Sequence, residues 1–376
     1  MLSIWLYETT GNGLFEGRLF RAGGAALLSI FLVMIFMPKF IRFLQNLDAT
    51  SDFEEDPNTK ATPILGGLLL VIVTIISSLV FAQMNSYVVS TLIILVLYAT
   101  VGAIDDIAKI YNKRLAAKGL LSKADYMAKA DGISATLRLT LYFTFSLIVA
   151  VFAYKFIPEL KGYLHVPFIK PETWSPYLPN YLFIPFISFV ITATANGTNF
   201  TDGLDSLVSV PIITSMIFIG CVAYLCGNTI FADYLSISYL PGVDELFPVA
   251  TGVIGAFLAY LWFNSPPAEI YLGDAGSIGF GGMIGIMFIL IQAELFIPII
   301  GVIIIAESLS VVIQIASFKL TGKRVFLCAP LHHHFQFKWK NKFGNKSMLN
   351  SKIVWRFHMV SLIALIFGLT IFFKVN

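Results

Sequence analysis

"YVVSTLIILVLYATVGAI", residues 87 to 104, carries no charged side chain and stops at two adjacent acids, Asp105 and Asp106. A bilayer core of ~30 Å takes about 20 apolar residues of helix to cross, and this run is close to that length. It lacks the two-residue alternation of a membrane β-strand. Comparable runs centre on residues 22–38, 64–83, 137–154, 181–195, 207–227, 247–263, 277–292, 295–317 and 353–373, which brings the expected number of spans to about ten. Composition agrees. The 376 residues are 57% hydrophobic and only 12% charged, with 34 Phe, whereas soluble domains are roughly 25% charged. In lipid every backbone polar group needs an internal partner, so the expected fold is all-α: one polytopic membrane domain over residues 1–376.

Charge gives the chain a direction across the bilayer. Of the 25 Lys and Arg, 19 lie in or beside the connections that follow odd-numbered spans. By the positive-inside rule those connections face the cytoplasm and both termini face out. The expected cytoplasmic loops are near 39–63, 105–136, 196–206, 264–276 and 318–352. Residues 1 to 17 contain Glu8 and Glu16 but no Lys or Arg, so the first span is expected to be retained rather than cleaved as a signal peptide. Cys221, Cys226 and Cys328 form neither a disulfide framework nor a paired metal-ligand spacing. Nothing in the charge pattern points to nucleic acid. The outer connection 155–180, rich in Pro and aromatics, is expected to be a structured loop with room for a short hairpin.

Four polar motifs interrupt the oil. In "GAIDDIAK" (102–109) Asp105 and Asp106 sit at the expected end of the third span, where the macrodipole and mutual repulsion disfavour two carboxylates. A divalent cation would compensate them, and so would ordinary solvation. "NGTNFTDGLDSL" (196–207) puts Asn196, Asn199, Asp202 and Asp205 close together; on a helix Asn199, Asp202 and Asp205 would share a face. Gly197 and Gly203 would let a ligand approach the backbone. Helix capping explains one of these acids, not the whole cluster. "YLGDAGS" (271–277) places Asp274 between two glycines just before the eighth span, as a cap or a ligand. "APLHHHF" (329–335) carries His332, His333 and His334, whose consecutive side chains point apart and suit hydrogen bonding to phosphate better than a shared zinc. The ninth span adds Glu307, Ser310, Gln314 and Ser317 at i, i+3, i+7 and i+10, a stripe facing the bundle interior as site or as packing glue. The four motifs fall in four different connections, all on the side assigned to the cytoplasm. A shared site follows, in which carboxylates collect a hard cation such as Mg²⁺ and basic groups collect phosphates.

In this order and on this side, "GAIDD", "NFTDGLD", "YLGDAGS" and "APLHHHF" resemble the polyprenyl-phosphate N-acetylhexosamine-1-phosphate transferase superfamily. The likeness runs from "TPILGG" (62–67) to "VWRFHM" (354–359). The triple histidine is similar to the branch that uses a MurNAc-pentapeptide donor. That resemblance implies a bacterial inner-membrane enzyme of peptidoglycan synthesis, with roles in cell shape and division. It would move phospho-MurNAc-pentapeptide from UDP-MurNAc-pentapeptide to undecaprenyl phosphate with Mg²⁺, giving lipid I and UMP. It implies metal binding by Asp274, Asp105 and Asp106, with these three and His332 as the catalytic set. It further implies donor or acceptor contacts from Lys60, Lys109, Lys118, Asn196, Asn199, Asp202, Asp205, Tyr271, Gln314, His332, His333 and His334. A homodimer, and association with other cell-wall synthesis proteins, are implied as well.

The chain departs from the family pattern in places: Lys60 is one residue closer to Thr62-Pro63, Tyr271 stands for a stacking Phe, Gln336 replaces an acid, and residues 338–352 are longer and more basic. Two other readings share parts of the pattern. A GlcNAc-1-phosphate transferase would keep the acids and differ at the histidines. An ion transporter would place acids at mid-membrane in broken spans, whereas these collect at span ends.

Overall fold

The computed structural model describes residues 2–50, 62–117, 132–169, 173–340, 342–343 and 345–374. Ten long helices take up the apolar runs: α1 (Arg18–Asn46), α2 (Gly66–Phe81), α3 (Ser86–Ala117), α4 (Ala135–Phe156), α5 (Asn180–Thr201), α6 (Ser209–Cys226), α7 (Leu246–Asn264), α8 (Gly273–Leu290), α9 (Val302–Thr321) and α10 (Lys346–Lys374). Among the described residues nine are long and apolar enough to cross a membrane, and α2, with 16 residues, is shorter. The chain is a multi-pass membrane protein.

The most enclosed helix is α8, with 89% of its apolar window buried. It packs against α2, α3 and α5. Close approach is what its glycines provide. A Cβ on Gly67 would run into the backbone of Gly276, so α2 and α8 touch main chain to main chain. Small residues matter at such contacts because lipid tails are as apolar as leucine, and helices in a bilayer associate by dispersion rather than by escape from water. Around this centre α7 packs on α1, α2 and α6, while α10 closes against α6 and α9.

The end of the bundle away from the acid motifs is tied by charge. Arg21 donates from Nη1 to Glu245 Oε2 at 2.7 Å and from Nη2 to Glu245 Oε1 at 2.9 Å. Glu245 also accepts from the Gln83 amide at 2.7 Å, and Arg18 pairs with Asp244. In the connection before α5, Leu164 N donates to Pro176 O and Leu178 N to Gly162 O, which makes the short hairpin expected there.

Three boundaries differ from the sequence reading, and each moves a site residue. Helix α3 does not end at the acids but continues to Ala117, because Ala, Lys, Leu and Arg after Ile104 are good helix formers. Asp105 and Asp106 are therefore mid-helix. Helix α5 runs on to Thr201 with Asp202 as its C-cap. Asn196 and Asn199 thus lie on its last turns rather than in a loop, and Asp205 falls in the turn beyond, so the three-residue spacing does not form one helical face. Helix α8 begins at Gly273 and puts Asp274 in its first turn, where a carboxylate complements the helix dipole.

Candidate active site

Asp105 and Asp274 come from helices α3 and α8 and meet across a pair of cations. Lys109, one turn after Asp105 on α3, places Nζ 2.8 Å from Asp105 Oδ2 and 2.9 Å from Asp274 Oδ2. Arg138, near the start of α4, places Nη1 2.8 Å from Asp105 Oδ2 and 3.3 Å from Asp274 Oδ2. The other oxygens are also engaged: Asp105 Oδ1 accepts from the Ile133 amide at 2.7 Å, and Asp274 Oδ1 from Asn199 Nδ2 at 2.8 Å. Asn199 donates as well to Ser277 Oγ at 3.0 Å. Sequence reasoning gave Lys109 and Asn199 to this site and missed Arg138. The available signal was its position, a lone arginine where the fourth apolar run begins.

Asp106 is buried and accepts from the Ala275 amide at 3.1 Å. Gly273, at φ +75, sits so close that a Cβ there would press on Asp106 Oδ2. The segment before α8 is held in place by a small ladder: Tyr271 N donates to Pro63 O, Gly66 N to Tyr271 O, and Gly67 N to Leu272 O. That ladder fixes where Asp274 enters the site.

Loss of water and the charges of Asp274, Asp106 and Asp205 push the Asp202 carboxyl up to about 8. Burial raises Asp205 too, and its Oδ2 accepts from the Ala268 amide at 3.2 Å. The two are neighbours in sequence but serve different parts of the site: Asp202 looks to Gly273 and Asp274, Asp205 to the connection between α7 and α8. Asn196 donates to Thr192 O of its own helix at 2.8 Å.

The histidines stand on a short helix, Leu331–Lys338, and point three ways. His332 is buried; its amide donates to Glu307 Oε1 at 3.1 Å and its Nδ1 lies 3.2 Å from Glu307 Oε2. Its ring fills the space over Gly203, where a Cβ would overlap it, and neither ring nitrogen has a hydrogen bond of good geometry. His333 Nδ1 meets Gln336 Oε1 at 2.6 Å, and burial holds this imidazole below its ordinary pKa. His334 Nδ1 accepts from the Leu327 amide at 3.2 Å, which leaves Nε2 as its protonated nitrogen when neutral. The stripe on α9 is used to hold this helix. Glu307 grips His332, and Gln314 Oε1 accepts from the Val325 and Phe326 amides. Phe335 and Trp339 pack with Leu207, Ile353 and Phe357, which pins the helix to α10.

Asp105, Asp106, Asp274, Asn199, Lys109, Asp202 and His332 thus gather at one end of the bundle. Lys60 and Lys118 lie outside the described residues. Among the described residues no three acidic, His or Cys side chains converge on one point as ion ligands. Asp105 and Asp274 nevertheless offer hard oxygen donors and already hold positive charge between them, the chemistry that suits Mg²⁺. The arrangement can neutralise and align phosphates at one end of the helical bundle.

The chain is similar to known proteins over nearly its whole length. The model of the family described as "Glycosyl transferase family 4" matches residues 88–292. A phospho-N-acetylmuramoyl-pentapeptide-transferase of Campylobacter lari is 34% identical over 97% of this chain and 98% of its own length. One from Nautilia profundicola is 36% identical over 96% of both chains. The enzyme of the same name from Campylobacter curvus is 34% identical over 97% of this chain.

Proposed function

Because the chain belongs to the phospho-N-acetylmuramoyl-pentapeptide-transferase family, we propose that it transfers phospho-MurNAc-pentapeptide from UDP-MurNAc-pentapeptide to undecaprenyl phosphate. A phosphate oxygen of the lipid forms a bond to the sugar-linked phosphorus. The bond from that phosphorus to the bridging oxygen breaks, and its electron pair leaves with UMP. The lipid product is a diphosphate carrying the sugar, lipid I. The observation that carries the reading is the convergence of Asp105 and Asp274 on shared cations beside Asn199.

Such transfers depend on position and charge neutralisation more than on covalent help from the protein. Asp274, with Asp105 and Asp106, would hold Mg²⁺, which when bound neutralises the pyrophosphate oxygens. Asn199 orients Asp274 by occupying Oδ1. Lys109 balances the acids and offers its ammonium to a phosphate. The histidine helix would serve the donor, with the Nε2–H of His334 as a hydrogen-bond donor. Asp202 and Asp205 flank the nucleotide-sugar. Tyr271 offers an aromatic face to the uracil, and Lys60 and Lys118 add positive charge.

The acceptor phosphate is largely dianionic at neutral pH, since its second pKa is about 6, so its oxygen needs alignment rather than a strong base. The excess of Lys and Arg in the connections at this end supports a cytoplasmic site and an inner-membrane location. The test is UMP release by purified protein given undecaprenyl phosphate, Mg²⁺ and either UDP-MurNAc-pentapeptide or UDP-GlcNAc. Release from the MurNAc donor alone is expected, and release from UDP-GlcNAc alone would move the chain to the sister activity.

A further inference from the structure

Arg138 belongs to none of the motifs that carry the family likeness, yet its guanidinium lies at the centre of the acid pair. Its Nη1 shares Asp105 Oδ2 and Asp274 Oδ2 with Lys109. All four oxygens of the two carboxylates accept hydrogen bonds, from Lys109, Arg138, Asn199 and the Ile133 amide. The two Oδ2 atoms each already accept from both Lys109 and Arg138, so a divalent ion seated between them needs one of these donors to yield. Lys109 is tied to Asp105 by helix geometry, one turn away on α3. Arg138 reaches over from α4, and its 3.3 Å contact with Asp274 is the longest of the set. Of the two cations, Arg138 is the less firmly held on Asp274.

A guanidinium freed beside a phosphoryl-transfer site has an evident use. Its planar fork matches two phosphate oxygens, which an ammonium cannot do. Its position also suits that role. On α4 it is flanked by the exposed Leu137 and Leu139, at 50% and 48%, while its own side chain is 24% exposed and turned to the acids. Arg138 thus stands at the edge of the site, beside exposed apolar side chains.

Resting on the transferase reading above, we infer that Arg138 is a phosphate-binding residue of this chain, which exchanges Asp105 and Asp274 for a substrate phosphate when a divalent cation occupies those acids. The phosphate is that of the lipid acceptor or of the donor pyrophosphate, both offering the same oxygens to the fork.

The test uses full-length protein in detergent, with Arg138→Gln and Arg138→Lys. The first readout is the Mg²⁺ concentration that half-saturates a thermal shift, measured without substrates. Arg138→Gln should lower it roughly tenfold, the worth of one charge-assisted hydrogen bond. The second readout is KM for each substrate at saturating Mg²⁺. In Arg138→Gln one KM should rise by about the same factor with kcat changed less, and Arg138→Lys should restore it in part. A rise for undecaprenyl phosphate assigns the fork to the acceptor, and a rise for the UDP-sugar assigns it to the donor. An unchanged Mg²⁺ midpoint overturns the exchange, and two unchanged KM values overturn the phosphate contact. Wild-type turnover is the control. Its absence defeats the functional reading and this inference with it, whereas normal wild-type turnover beside unaltered Arg138→Gln constants defeats this inference alone.

Discussion

Asp274 is the single residue on which most of the site depends. It joins α8 to α3 through Lys109, to α4 through Arg138 and to α5 through Asn199. Asp274→Asn keeps the shape but removes the charge, and turnover should fall by about 10²–10³ or more; steady-state UMP release checks it. Asp202 offers a pH test. Its carboxyl is pushed up to about 8 by burial and by its acidic neighbours, whereas an unfolded Asp titrates at about 3.9. Between those values the folded protein binds more protons than the unfolded chain, so stability falls as pH rises through that window. In chelator, melting of wild type and Asp202→Asn should draw apart as pH goes from about 4 to about 8, the variant gaining. Parallel curves would mean that Asp202 ionises freely in the fold. The sequence made these acids legible because carboxylates are conspicuous in an apolar chain. Arg138 was not legible, since one arginine at a span end is what the positive-inside pattern already explains.

At the scale of elements, the fold depends on contacts that sequence periodicity does not reveal. The ten long helices followed from run length alone, though among the described residues nine of them, not all ten, are long and apolar enough to cross a membrane. Helix ends did not, because α3 and α5 continue past the apolar runs, with Lys109 and Asn199 on the added turns. Polar residues there are stabilised by partners on other helices, which no local signal encodes. The same holds for the far end, where Arg21 and Glu245 meet across 224 positions of sequence. Arg21→Met leaves Glu245 buried without its partner and should cost about 3–5 kcal/mol. The double variant Arg21→Met, Glu245→Met should be less destabilised than the single one. Thermal melts in detergent distinguish the two, and equal losses would show that the pair contributes packing rather than charge compensation. Glu307 tells a related story on α9. It read as part of a polar stripe, and the structure gives it one task, holding His332 over Gly203.

For the whole molecule, ten helices bring acids, an amide, cations and histidines from separate connections to one end of a bundle. That end is proposed to face the cytoplasm, and Cys328 reports on it. It lies in the connection before the histidine helix and is partly exposed, whereas Cys226 is buried. A membrane-impermeant maleimide should label Cys328 in inside-out vesicles and not in right-side-out ones; the reverse pattern would invert the topology. What moves between the substrates decides the reaction. A UDP-MurNAc-pentapeptide labelled at the sugar-linked phosphorus, incubated with protein, Mg²⁺ and undecaprenyl phosphate, tests it directly. The label is expected to enter the lipid fraction together with the sugar while unlabelled UMP stays in water. Label released to water as UDP, with the sugar alone on the lipid, would contradict it.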